Sequence, residues 1–356
     1  FFKAGPAYAA AEGKSLLDAF HLEGKWAMGL FYAVTVSSMF VVQAVVTLLT
    51  ASVFSSIFEI QLPLWQVCAV ILLSCSFILI VGKYRLLASL MKTVIVLLTV
   101  TTLITLIAAF FFDQPAGGSV RLFSFSETTD LFFLIALIGW MPAPLDISLW
   151  HSEWTLTANK EKNEKLDISK AVFDFNIGYW GTTLLAIAFV LLGALILRGN
   201  TATLPSGGAA FAGELIGMYV TTLGQWSFVF VAIAAFTTMF STTLTVLDAY
   251  PRVLHKAWEL SSQKKQKRGY LIVLGFMVVG ALFVLIYQLE NMKQLVDFAT
   301  TVSFLTAPIL ASLISRVVRK SKAAIFTRLD QLLVWVGLVF LYCFSAYYIW
   351  IKFITQ

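Results

Sequence analysis

Four residues in the middle of one apolar stretch have the types and spacing to bind a cation. The stretch is LFFLIALIGWMPAPLDISLW (131–150), and its centre carries Met141, Pro142, Pro144 and Asp146. Proline has no N–H and clashes with the carbonyl four residues before it, so each proline frees one carbonyl from helical pairing. A helix cannot run straight through this stretch. Inside a bilayer, such broken backbone is found only where protein or a water-filled cavity surrounds it.

The atoms exposed by this break form a mixed set of soft and hard ligands. The freed carbonyls are those of Ile138 and Trp140, and the thioether of Met141 and the carboxylate of Asp146 lie beside them in sequence. This set suits a first-row divalent cation better than an organic solute. The alternative is a plain proline kink whose freed groups neighbouring helices satisfy. The second proline and the aspartate favour a site, because an ionisable group at membrane depth is typical of a functional position.

The composition indicates what surrounds the break. Of the 356 residues, 59% are hydrophobic and 12% are charged, whereas soluble domains average about a quarter charged residues. This predicts an all-α polytopic membrane protein. The net charge of +6 does not indicate nucleic-acid binding, because in such proteins the distribution of charge matters more than its sum. We find no cysteine or histidine spacing that indicates a bound cofactor, and no motif of an enzyme.

Nine apolar runs are long enough, at about 20 residues each, to cross a bilayer. They predict a single transmembrane domain over residues 1–356 with spans at about 26–56, 64–82, 90–112, 128–150, 171–197, 222–250, 269–288, 294–315 and 331–353.

The loops between these spans differ in charge from one side to the other. Alternate loops hold 21 of the 25 lysines and arginines, and only Arg121, Arg198, Lys293 and Lys352 fall on the opposite side. Cytoplasmic loops carry the excess of basic residues. The distribution therefore predicts that the C-terminus lies outside the cell and that the lipid bilayer surrounds the spans.

Four further polar residues at membrane depth are candidates for relay or gating. Asp174 and Asn176 follow the first turn of one span, where the aspartate is either a helix cap, the interpretation we favour, or a proton carrier. Gln43 lies within the first span. Asp248 lies near the end of another span and either takes part in gating or simply pairs with Arg252.

The chain resembles a known family in several places. GWMPAPLDISLWHS (139–152) looks like the sixth-helix motif of the natural resistance-associated macrophage protein (Nramp) family of divalent metal transporters, in which a Met-Pro-His sequence interrupts the helix. YRLLASLMKTVIVLL (84–98) resembles the family's fifth helix, FTTMFSTTLTVLDAYPRVL (236–254) its eighth, and LVDFATTVSFLTAPIL (295–310) a tenth helix of a divergent bacterial branch.

The resemblance implies a LeuT-like fold of five plus five inverted helices, with the nine spans as family helices 3 to 11. The beginning FFKAGPAYAA would then end helix 2, and we expect helix 1 and most of helix 2 to precede this sequence. Met141 matches the family's metal-binding methionine. Its sulfur would favour manganese and iron over magnesium and calcium, because harder ions gain little from sulfur.

The chain departs from the family pattern at positions that matter for coupling. The family's histidine is Ala143 here, and Asp146 stands where a non-acidic residue is usual. The third helix (31–49) lacks the family's acidic residues and the ninth (270–287) its arginine. Proton coupling therefore stays open. The leading hypothesis is divalent metal transport; the alternative is an ion-coupled transporter of amino acids or other organic solutes with the same fold.

Overall fold

The structure is a computed structural model that describes residues 1–81, 84–111, 123–124, 127–141, 143–162, 167–196, 208–266, 268–288, 292–321 and 326–354. Within these ranges the chain forms helices and no strand. The helices are α1 (Ala4–Glu12), α2 (Leu16–Glu23), α3 (Lys25–Phe58), α4 (Leu64–Val81), α5 (Tyr84–Phe111), α6 (Thr128–Trp140), α7 (Ile147–Lys162), α8 (Ile168–Ile196), α9 (Gly208–Leu223), α10 (Phe228–Ser262), α11 (Gly269–Gln288), α12 (Met292–Lys320) and α13 (Arg328–Ile354), with a 3₁₀ turn at Gln225–Ser227.

Seven helices of the described chain are long and apolar enough to cross a membrane: α3, α4, α8, α10, α11, α12 and α13. Two shorter apolar stretches, Ile95–Phe111 in α5 and Asp130–Trp140 in α6, lie among them. Large apolar side chains such as Phe77, Phe111 and Trp180 point outward and are well exposed. Soluble proteins rarely expose contiguous apolar surface on this scale, so the outer surface suits lipid.

The centre of the molecule is α3, which packs against α4, α9, α10, α11 and α12. Its buried face includes Phe31, Met39 and Leu48, and these belong to one large apolar cluster that also takes in the half-helix α7 through Leu149 and Trp150. A smaller cluster formed by Leu131, Ile135, Phe304 and Tyr348 joins α6 to α12 and α13. The two halves of the interrupted helix thus pack mainly in different clusters, although Trp140 at the end of α6 also packs against the larger one.

Prolines act differently in three helices. Pro251 lies inside α10 and Pro308 inside α12, and both helices continue past them. The chain between α6 and α7, by contrast, is not helical at the described residues 141 and 143–146. A single proline removes one N–H from the hydrogen-bond ladder, whereas Pro142 and Pro144 remove two within three residues. The predicted interruption is confirmed, and the single-proline kink does not describe it.

Two helices were not predicted from the sequence. Helix α2 begins at a capping box in which Ser15 accepts the N–H of Asp18 at 3.3 Å and the Asp18 carboxylate accepts the N–H of Ser15 at 2.9 Å. Gly13, with a φ of 64°, ends α1 just before it, a left-handed conformation that glycine adopts without strain. Helix α9 (Gly208–Leu223) lies where the sequence analysis placed no span.

Candidate metal-binding site

The interrupted helix ends abruptly at the predicted methionine. Met141 is the first residue beyond α6, with an extended backbone of φ −112° and ψ 120°, and its N–H still donates to the carbonyl of Leu137 at 2.8 Å. Pro142 lies outside the described residues, and Pro144 lies in the non-helical segment. Helix α7 then begins at Ile147. The thioether-bearing residue therefore sits where the helix stops.

Asp146 lies at the beginning of the second half-helix and is buried, with 5% of its surface exposed. Its backbone carbonyl accepts the N–H groups of Leu149 and Trp150, as an N-cap residue's does. Its carboxylate does not cap the helix. Oδ2 instead accepts a hydrogen bond from the hydroxyl of Tyr250 at 3.1 Å, and no described residue donates to Oδ1. The Tyr250 hydroxyl thus fixes one of the two carboxylate oxygens.

Tyr250 is a site residue that the sequence analysis missed. It is fully buried on α10, its hydroxyl lies 3.4 Å from the hydroxyl of Ser38 on α3, and its ring meets that of Trp150 edge-on at 5.1 Å. If its one proton goes to Asp146, only Ser38 can donate in the second bond, and the Val34 carbonyl, at 3.1 Å, competes for the Ser38 proton. A signal was present in the sequence, because a tyrosine within an apolar span needs a partner for its hydroxyl.

The other half of the break is fixed to α12. The indole N–H of Trp140 donates to the hydroxyl of Ser303 at 2.9 Å. A Cβ on Gly139 would come within 2.3 Å of the backbone oxygen of Thr300, so α6 lies against α12 as closely as a glycine permits. Ile138 is partly buried and packs on the α6–α12–α13 cluster. The two carbonyls predicted as metal ligands, those of Ile138 and Trp140, therefore belong to a helix end that packs against α12.

Gln43 lies at the α3–α10 interface, as does the Ser38–Tyr250 contact. Its amide nitrogen donates to the hydroxyl of Thr47 at 3.1 Å and to the carbonyl of Thr243 at 3.4 Å. Its oxygen, Oε1, is buried and has no hydrogen-bond partner among the described residues. The structure brings Gln43 to the same pair of helices as Tyr250, but joins it to Asp146 through no direct hydrogen bond. Its role in gating stays a prediction.

The carboxylate of Asp248 accepts hydrogen bonds from residues on three helices. Arg252 donates to both of its carboxylate oxygens at 2.9 Å, so the pairing considered from the sequence is present. Trp154 of α7 donates at 3.3 Å and Tyr270 of α11 at 2.9 Å. The carboxylate thus links α7, α10 and α11. A gating role for Asp248 stays a prediction, and any such role would act through these three helices.

Asp174 and Asn176 lie on the exposed side of α8, away from the break. Asp167, and not Asp174, caps this helix, because its Oδ1 accepts the N–H of Ser169 at 2.8 Å and α8 begins at Ile168. The cap interpretation of Asp174 is therefore wrong. Asp174 instead lines a cleft of about 350 Å³ between α1, α7 and α8, together with His151. Its relay role stays a prediction.

The described residues contain no group of three or more His, Cys, Asp or Glu side chains that could hold a metal ion. A metal at the break would therefore rely on the Met141 sulfur, backbone carbonyls and the single carboxylate of Asp146. Such a set has fewer charges than a permanent structural site, and it is compatible with release of the ion on the other side of a membrane.

Comparison with known proteins identifies the family. Residues 9–351 match the family model described as natural resistance-associated macrophage protein-like, or Nramp. The chain is also 32% identical, over 354 residues, to an uncharacterized protein of Pasteurella multocida (strain Pm70), an alignment that covers 98% of this chain and 81% of that protein. The matched residues include every described segment from α2 to α12. This chain belongs to the Nramp family of divalent metal transporters, a family of membrane proteins with the LeuT fold and not of enzymes.

Proposed function

We propose that this protein carries a divalent metal ion of the manganese or iron type across a bacterial inner membrane, by alternating access around residues 141–146. The observation that carries the proposal is the interrupted helix, which ends at Met141 and resumes after the buried carboxylate of Asp146. We infer that the sulfur of Met141 and oxygen atoms of the neighbouring residues form one binding site at this interruption. Such a ligand set suits first-row divalent ions.

Each ligand has a distinct part in the proposed binding step. The thioether of Met141 discriminates against magnesium and calcium, which gain little from sulfur. Asp146 supplies the charge, and Tyr250 orients its carboxylate at 3.1 Å. The carbonyls of Ile138 and Trp140 complete the proposed set from the end of α6. A substrate with its own carboxylate would meet the like charge of Asp146, which argues against an amino acid as the substrate.

The two half-helices provide a route for alternating access. Helix α6 is attached to α12, whereas α7 is attached to α1 and α10. The ion would lie between two parts that can tilt separately, as in transporters with broken helices. The cleft beside Asp174, at the basic end of α8, would give the ion or a proton a way out on the cytoplasmic side. Proton coupling is tested by comparing uptake with and without an imposed pH gradient.

Uptake of radiolabelled manganese into membrane vesicles tests the proposal. We expect uptake by the wild type, and loss of it in a variant carrying both Met141→Ala and Asp146→Ala. Glu214→Gln, which removes an exposed carboxylate from α9, is the matched control and should leave uptake unchanged. Equal uptake by the wild type and the double variant would refute the proposal, and uptake of a labelled amino acid in place of manganese would favour the organic-solute alternative.

The soft ligand can be tested separately. Cadmium should compete with manganese uptake far better than magnesium does in the wild type. Met141→Ala should lower the ability of cadmium to compete, relative to that of magnesium, by a larger factor than it lowers manganese uptake. An unchanged order of competition would remove Met141 from the ligand set while leaving the rest of the proposal intact.

A further inference from the structure

A second cleft opens at the basic end of the molecule, far along the chain from the helix break. It has a volume of about 770 Å³ and lies between the beginning of α3, the end of α12 and the middle of α13. Its lining combines basic, aromatic and aliphatic side chains, among them Trp26, Leu30, Arg316, Arg319, Lys320 and Tyr342. No part of the proposed metal path uses them.

The cations of this cleft outnumber its acidic partner. Arg316 donates to the carboxylate of Glu23 at 2.8 Å, and Lys320 pairs with the same carboxylate. Hydrogen bonds from Lys320 and Arg316 hold the pKa of Glu23 below its usual range, so it stays ionised at neutral pH. Arg319 stacks over the ring of Trp335 at 5.1 Å. Two of the three basic side chains thus share one carboxylate, and no carboxylate of the described residues pairs with Arg319, which leaves an excess of positive charge.

The walls beside these cations are apolar and face outward. Trp26 is 48% exposed, Leu30 38% and Tyr342 50%. The three belong to helices that are apolar enough to span the membrane. Exposed aromatic rings next to basic side chains are typical of the level where lipid headgroups meet the hydrocarbon. The cleft therefore presents cations at headgroup level and aliphatic surface at chain level.

We propose that this cleft binds an anionic phospholipid, with the phosphate on Arg319 and Lys320 and an acyl chain along Leu30. Arginine forks match phosphate oxygens, and basic residues at the membrane surface attract anionic lipid. The apolar wall is what selects a lipid over a free phosphate, because a free anion gains nothing from it. This inference stands whether or not the protein transports a metal.

Native mass spectrometry of the purified protein, with phosphatidylglycerol or phosphatidylcholine added, tests the proposal. The wild type should retain phosphatidylglycerol in preference to phosphatidylcholine. The combined change Arg319→Gln and Lys320→Gln should weaken this retention by roughly 30-fold, given what each basic residue near an anionic surface contributes. Lys264→Gln with Lys265→Gln, which removes two exposed charges from the loop after α10, is the matched control and should have little effect.

Two outcomes of the lipid comparison would overturn the proposal. One is a wild type without preference for the anionic lipid, a result that requires no variant to fold. The other is equal weakening by the cleft variant and the loop control, which would indicate attraction by overall charge. Glycerol phosphate, which has the phosphate without the chains, should not displace the lipid; displacement by it would also contradict a lipid site. Manganese uptake measured in the same variants keeps this test separate from the metal proposal.

Discussion

The two halves of the interrupted helix differ in composition and in attachment. Helix α6 is apolar and is fixed to α12, through the Trp140–Ser303 hydrogen bond and the close approach at Gly139. Helix α7 carries charged and polar residues and is fixed to α1, α2 and α10. It lies very close to α1 at Gly5, where a Cβ would come within 2.0 Å of the backbone oxygen of Ser148.

Because α6 and α7 are attached to different helices, the interruption between them can separate their movements. In a continuous helix a movement at one end would be transmitted to the other, because the backbone hydrogen bonds run along its whole length. Here residues 141–146 separate two helices that follow different neighbours. Loops and helix ends of this kind are where hinge motions are absorbed. Under the proposed mechanism, a ligand site placed at this hinge would open to either side.

The largest effects are expected at the two glycines that hold the half-helices. Gly139→Ala and Gly5→Ala each place a Cβ against backbone, at 2.3 and 2.0 Å, so a helix must shift. We expect each to lower the free energy of unfolding by about 3 kcal/mol, at the upper end of overpacking costs, as measured by thermal unfolding in detergent. Gly178→Ala, with open space around it, is the control and should not destabilise. Equal stability of all three variants would contradict the close approaches.

The link from α7 to α10 and α11 should be the next most sensitive. Asp248→Asn leaves Arg252 without its carboxylate and weakens the bonds from Trp154 and Tyr270. We expect a loss of about 2 kcal/mol in the free energy of unfolding, because the buried carboxylate loses charged hydrogen bonds, whereas the 36% exposed side chain of Arg252 limits the cost of leaving that cation unpaired. Adding Arg252→Gln should restore part of it. If the double variant is as unstable as the single one, the pair is not the source of the effect.

Tyr250→Phe tests whether α10 positions the ligand on α7. The change removes the hydroxyl that donates to Asp146 and preserves the ring. Partners of this kind, which orient a ligand without touching the metal, typically alter affinity by about 10–100-fold, so we expect at least about tenfold weaker manganese binding by isothermal titration. Tyr270→Phe removes an equivalent hydroxyl from Asp248 and should leave the affinity unchanged. Matching losses in both variants would indicate a general structural effect.

The smallest expected effect concerns α2, which packs against α7. Burial alone would raise the pKa of Asp18, but the N–H of Ser15 and the ammonium of Lys256 outweigh it and lower that pKa. Because the folded-state value is the lower one, this stabilisation is complete above the unfolded pKa of about 4 and disappears as the pH falls below it.

The expected contribution of the Asp18–Lys256 pair is at most about 1 kcal/mol, since both side chains are partly exposed. Thermal unfolding followed from neutral to acidic pH should show a smaller acid-induced loss in Asp18→Asn than in the wild type. Glu214→Gln should follow the wild type. Identical pH profiles for Asp18→Asn and the wild type would contradict the contribution.

The sequence predicts the local features of this fold better than the long-range ones. The break at 141–146 follows from two prolines in three residues, whose lost N–H groups are a purely local effect. The partner of Asp146 does not follow, because Tyr250 is 104 residues away in the chain. The same holds for Gly5 and Gly139, whose importance depends on backbone from other helices. Asp174 was assigned as a cap because the start of α8 was placed a few residues too late.

The central claim is that the unwound segment binds a cation through Met141 and Asp146. Equilibrium binding of manganese to the purified protein, measured by isothermal titration, tests it most directly. The account predicts saturable binding to the wild type that weakens by more than about tenfold, or about 1.4 kcal/mol, when both residues are replaced by alanine. Unchanged affinity in a folded double variant would contradict it.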